Sequence, residues 1–194
     1  MHRSGIRLFV LALAALVAMP LTVVGADKTG SKKQGQTYKQ DEVLKEAEEF
    51  FGEGAKGLAD VVAKAFKDQG EPNGFIKGEE AGGAVGVGVR YGRGTLQSPG
   101  GSRDIYWQGP SIGFDVGGNA AKVFVLIYNL QDQETLFQRF PGVEGSLYFV
   151  GGVGVHYARA SNVTVAPIRF GVGWRQGASV GYIHFTKEKS WNPF

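Results

Sequence analysis

The chain has 194 residues, 43% of them hydrophobic, and no cysteine, which excludes a disulfide-stapled scaffold, a thiolate metal site and a cysteine nucleophile. Setting aside Arg3 and Arg7 of the N-terminal segment leaves 19 of the 21 basic side chains against 18 acidic ones, a formal charge of +1 in place of +3. With charge so nearly balanced, a nucleic-acid partner loses its main electrostatic support.

Residues 1–26 have the three parts of a secretory signal. His2, Arg3 and Arg7 form a basic start, residues 8–17 are an unbroken apolar run, and Val24, Gly25 and Ala26 supply small side chains after the helix-breaking Pro20. Cleavage is expected between Ala26 and Asp27. A spanning helix needs about 20 apolar residues, and Pro20 cuts this run short of that. No Cys follows it, so no lipoprotein anchor is expected. Residues 27–40 are polar with Lys and Gly, and read as a flexible lead-in. Residues 41–194 have the length of one domain.

Residues 41–69 carry a helical stripe: Val43, Ala47, Phe50, Gly54, Leu58, Val61 and Ala65 step by three or four, which a helix places on one face. Asp41 and Glu42 open the segment, Lys64 and Lys67 approach its end, and Gly70 and Pro72 follow, as the macrodipole and stop signals require. Gly52, Gly54 and Gly57 each cost about 1 kcal/mol in a helix, so a kink or a division into two helices is expected there. The polar face mixes both signs, so the segment fits a helix covering a core better than a basic membrane-surface helix.

From Gly74 onward the period drops to 2. Val85, Val87, Val89 and Tyr91 alternate with small or polar residues, as do Ile112, Phe114 and Val116. Residues 122–130 are apolar on both faces, which suits a strand covered on two sides. Further strands are expected at 147–158, 162–174 and 178–187, with a helical turn within 131–139 and turns at 98–101, 117–119, 141–142 and 176–177. Glycine weakens a strand unless the missing side chain is used. A tightly coiled barrel uses it for bends and close approach. The fold class is therefore mainly β: a small soluble β-barrel of about seven to nine strands with an N-terminal α-helix against one opening or side. Its many aromatic residues are expected mostly in the core.

Gly109, Ser111 and Gly113 make a G-x-S-x-G run, with Asp132 and His156 following in hydrolase order, but that mechanism needs a strand-to-helix elbow. Here Phe114 and Val116 continue a strand. The glycines of 82–94 lack a following helix N-terminus to hold phosphate. His156 and His184, far apart on strands, have no ligand spacing. Asn162, Val163 and Thr164 match a glycosylation acceptor without independent support. No enzymatic activity, catalytic residue, metal or cofactor is expected.

The blocks GFIKGEEAGGAVGVGVRYGRGTLQ, IYWQGPSIGFDVGGNAAKVFVLIYNL and FPGVEGSLYFVGGVGVHYARASNVTVAPIRFGVGWRQGASVGYIHF resemble, in order and spacing, the alphaproteobacterial envelope integrity protein A (EipA) family. That resemblance spans about residues 41–187. It implies a periplasmic small β-barrel that supports cell-envelope integrity under stress, and carries no catalytic residues over. The same glycine-rich blocks are more distantly similar to SYLF-type lipid-binding domains. The expectation is a non-enzymatic protein that binds an envelope component (a lipid, a cell-wall fragment or an envelope protein). The alternative is a lipid-binding module holding an acyl chain in or beside the barrel. An integral outer-membrane barrel fits poorly, because residues 187–193 with Pro193 make no membrane strand.

Overall fold

The computed structural model describes residues 36–52, 55–115, 120–170 and 181–190, with the backbone path alone at 83–87 and 111–115. All of these belong to one compact unit, Ser31–Phe194. The leader and cleavage point expected in 1–26 lie outside the described residues, as do the turns expected at 117–119 and 176–177.

The segment predicted as helical divides into α1 (Gln40–Phe51) and α2 (Leu58–Gln69). Gly52 and Gly57 flank the break with φ of +107° and +83°, a region side chains avoid. At the start of α1, Glu42 accepts a hydrogen bond from the Lys39 N–H at 2.8 Å, and Asp41 and Glu42 sit where the dipole favours acid. Just ahead of it, the Tyr38 N–H donates to Pro72 O and the Tyr38 ring meets Phe75 edge-on at 5.0 Å. Of the predicted stripe, Val43, Ala47, Leu58, Val61 and Ala65 are buried, Phe50 is half-buried, and Gly54 lies outside the described residues.

The strands are β1 (Gly74–Ser98), β2 (Gly101–Asp115), β3 (Ala121–Tyr128), β4 (Arg139–Pro141), β5 (Tyr148–Val150), β6 (Val153–Val155), β7 (Ala158–Ala160), β8 (Val163–Phe170) and β9 (Tyr182–Thr186). They form one nine-stranded sheet in the order β4-β9-β2-β1-β3-β8-β6-β5, with β7 beside β6 on the same edge of β8. The sheet curls until its sides meet. Gly142 bridges Ala158, and the Val143 N–H donates to Tyr157 O at 2.8 Å, tying the end of β4 to the start of β7. This is a mostly β, curled antiparallel barrel-like sheet with two helices.

Glycine permits the curl. Residues 74–80 of β1 pair with β3, and 84–98 pair with β2. The two halves cross so closely that a methyl on Gly78 would lie 2.9 Å from Gly94 Cα, where only two bare backbones fit. Gly92 likewise leaves the seat that the Trp107 indole fills.

Burial of β3 on both faces now has its reason. Val123, Val125 and Ile127 point into the sheet's interior with Ile76, Ile105 and Phe185. Phe124, Leu126 and Tyr128 point outward under the helices, with Val43, Val61 and Ala65. Alternate residues of one strand thus serve two cores, and each fully buried aliphatic side chain contributes about 1.5–3 kcal/mol.

Two expectations change. Residues 147–158 are not one strand: Gly151 and Gly152, at φ +57° and +86°, turn β5 back onto β6, and the chain breaks again before β7. Pro167, which has no N–H to donate, lies in β8 opposite that second break. Within 131–139 the helical turn is a 3-10 turn at Gln133–Leu136, and Arg139 then opens β4, a strand too short for its alternation to be read.

Candidate functional site

Among the described residues, the charges that the strands bury gather at one level of the sheet's interior. Arg169 on β8 is 1% exposed, and its Nε and Nη2 reach the two oxygens of Glu80 on β1 at 2.5 and 2.9 Å. The Trp107 Nε1–H of β2 donates to Glu80 Oε2 at 3.2 Å. Three strands far apart in sequence therefore converge on one carboxylate. Burial by itself pushes the Glu80 carboxyl up, but the positive charges of Arg169 and then Arg90 outweigh this and hold it below its ordinary value. Arg90 is anchored through Nε and Nη2 to Pro110 O at 3.1 and 2.9 Å.

His156, in the break between β6 and β7, is buried nearby. Burial first, then the positive charge of Arg169 and Arg90, depresses it well below its usual value, so it is neutral at pH 7. His156 and Arg90 line a small polar hollow with Tyr182, large enough for roughly one water (volume about 10 Å³).

A larger pocket of about 400 Å³ opens on the Glu80 ion pair, within the range of small-molecule sites. It occupies the notch between the two halves of β1, at Glu79–Ala81 and at Tyr91–Arg93, and continues along β2 and β9. Register explains its composition. Tyr91 lies opposite Gln108, Arg93 opposite Tyr106, and Tyr106 opposite Thr186, and directly paired residues share a face. Two tyrosines, a buried amide and a hydroxyl are thus set side by side. Trp107, between them in β2 and therefore turned to the interior face, is buried and meets the pocket beside Glu80, and Lys189 and Ser190 also line it.

The hydrolase-like run is not assembled. Ser111 lies within β2 opposite Gly88, its side chain outside the described residues, and β2 runs on as strand to Asp115 instead of turning into a helix. Asp132 caps the 3-10 turn, accepting from the Glu134 N–H at 3.0 Å. His184 sits on β9 between Gln108 and Arg139, lowered by burial and by Arg139. Asn162 is exposed in the turn before β8, while Thr164 is buried and accepts from Arg159 Nε at 2.9 Å. Of the glycine-rich stretch 82–94, the described part runs within β1. Among the described residues no three His, Asp or Glu side chains gather as a metal set, and no helix is long and apolar enough to cross a membrane.

Sequence reasoning passed over Glu80, Arg169, Trp107 and Gln108. The signal for Arg169 was present: in Val163–Phe170 it is a charge flanked by Ile168 and Phe170, in a segment otherwise fit for burial. A charge in such a place needs a buried partner, but nothing local names Glu80.

Comparison with known proteins agrees with this architecture. The chain is similar to a β-barrel-like, uncharacterized protein from Brucella abortus, whose crystal structure superposes with a TM-score of 0.76 at 43% identity, covering 81% of this chain and 99% of that one. No curated protein matches. The family model for envelope integrity protein A matches residues 36–194. With every described residue inside that match, the chain belongs to the envelope integrity protein A (EipA) family.

Proposed function

We propose that this protein is a non-enzymatic periplasmic factor that supports the cell envelope by holding an envelope component in the pocket over Glu80. The observation that carries the reading is the 400 Å³ pocket set on a buried Glu80–Arg169 pair. A rigid polar floor beneath an open recess suits recognition. Family membership supports the envelope role, and the leader-like residues 1–26 support export with cleavage after Ala26.

The test is genetic and needs no knowledge of the ligand. A deletion strain is expected to lose tolerance to detergent and envelope-directed antibiotics. Full-length protein restores it. Tyr106→Ala, which removes a ring from the pocket wall, fails to restore it while accumulating normally in the periplasmic fraction. Full rescue by Tyr106→Ala, combined with Arg93→Ala, would remove the pocket from the function. Retention of the protein in the cytoplasm would remove the address.

A further inference from the structure

Resting on the reading that this pocket is the binding site, we infer that its occupant is a saccharide unit and not an acyl chain. The distinguishing observation is the lining. No Leu, Ile, Val, Met or Phe contributes to it among the described residues. Its lining includes the half-buried rings of Tyr91 and Tyr106, the buried Trp107, and Ala81 and Ala120. Tyr91 and Tyr106 are register neighbours of Gln108 and Thr186, and Trp107 hydrogen-bonds the Glu80 carboxylate, so each ring has a hydrogen-bonding group beside it.

An acyl chain gains by meeting aliphatic side chains and loses wherever it covers a carboxylate or an amide. A sugar ring is built the other way. Its C–H faces lie against aromatic rings, and its hydroxyls, at the ring edge, need donors and acceptors in the same plane. Tyrosine combines an apolar body with a polar end, and the register of β1, β2 and β9 sets Tyr91 next to the Gln108 amide and Tyr106 next to the Thr186 hydroxyl. Glu80 is a suitable acceptor. A carboxylate offers about four lone-pair sites, and Arg169 and Trp107 occupy three of them. Arg169 also keeps the carboxylate ionised, so it accepts and does not donate. Arg93, exposed at the pocket edge, adds a planar donor fork for a sugar hydroxyl or an acidic substituent. The volume of about 400 Å³ lies within the range of small-molecule sites.

The experiment is ligand-observed saturation-transfer NMR on the mature full-length chain, with two sugar probes, the N-acetylglucosamine disaccharide and maltotriose, and one acyl probe, dodecylphosphocholine below its micelle concentration. Saturation transfer to the ring protons of at least one sugar is expected, reduced at least tenfold in Tyr106→Ala and in Arg93→Ala. Thermal melting of both variants should stay close to wild type, because Arg93 is exposed and Tyr106 only half-buried. Transfer to dodecylphosphocholine alone, abolished by Tyr106→Ala, would overturn the saccharide assignment while leaving the pocket as the site. No transfer to either sugar, with unimpaired rescue by the Tyr106→Ala, Arg93→Ala double variant, would overturn both readings. Sugar binding unchanged by both substitutions would place the site elsewhere and overturn the assignment to this pocket.

Discussion

Glu80 and Arg169, 89 residues apart, meet through two hydrogen bonds of 2.5 and 2.9 Å inside the sheet, with each side chain almost wholly withdrawn from solvent. They lie on β1 and β8, which never pair directly; β3 separates them. The curl of the sheet brings their side chains together.

Removing one partner of a buried pair leaves a bare charge in a medium that cannot solvate it, at a typical cost of about 3–5 kcal/mol. Arg169→Met is therefore expected to destabilise the fold by that amount. Adding Glu80→Gln to Arg169→Met should recover a large part of the loss, because the remaining amide carries no charge. Urea unfolding of the single and double variants measures this, and additive losses would show that the two residues do not act as a pair.

His156 gives the protein an acid limit. Its folded value lies well below 6.5, whereas the unfolded chain takes up a proton near 6.5. Above that pH both states are neutral at this position and it contributes no slope. Below it the unfolded state alone binds the proton, and stability falls by about 1.4 kcal/mol per pH unit until the folded value is reached. His184, lowered less, acts in the same sense. Glu80, also depressed, adds a further loss below about pH 4.5. Unfolding midpoints between pH 7.5 and 5.0 should decline with acid, and His156→Gln should flatten that decline.

Two tyrosines beneath α2 are expected to respond in opposite ways to losing a hydroxyl. The Tyr157 hydroxyl donates to Asp68 at 2.8 Å, and its ionisation is pushed far up, by burial and then by that carboxylate. Tyr157→Phe should cost about 1.5–3 kcal/mol, as for a hydrogen bond to a charged group. The Tyr128 hydroxyl is buried with no hydrogen-bond partner among the described residues. Tyr128→Phe removes an unsatisfied group and should be neutral or mildly stabilising. Thermal melting of the two variants checks both signs, and equal losses would contradict the contrast.

Gly78→Ala tests the crossing of β1 over itself. The added methyl meets the Arg93 carbonyl and Gly94 Cα within backbone distance, and backbone cannot rotate aside as a side chain does. Overpacking of this kind costs about 1–3 kcal/mol or more. A drop of that size in the urea midpoint is expected, and an unchanged midpoint would show that β1 can open without loss.

Local chemistry determined much of this protein. The 3.6-residue stripe of 43–65, its acidic start and the glycines at 52 and 57 specify amphipathic helices and the place where they divide, because capping and periodicity act over a few residues. Alternation from Gly74 onward specifies a β structure, and two-sided apolarity in β3 specifies a covered strand. Of the short strands, β4 was not read, and β5, β6 and the start of β7 were read as one strand over 147–158, since three residues carry too little period to place their ends. What only the tertiary structure decided is which residues meet. Glu80, Trp107 and Arg169 are each unremarkable in their own segment, and their convergence depends on strand order, on the register of β1 with β2 and β3, and on a curl made possible by Gly78, Gly92 and Gly94. Contacts between residues so distant in sequence follow from how the whole sheet closes, and no local pattern encodes that closure.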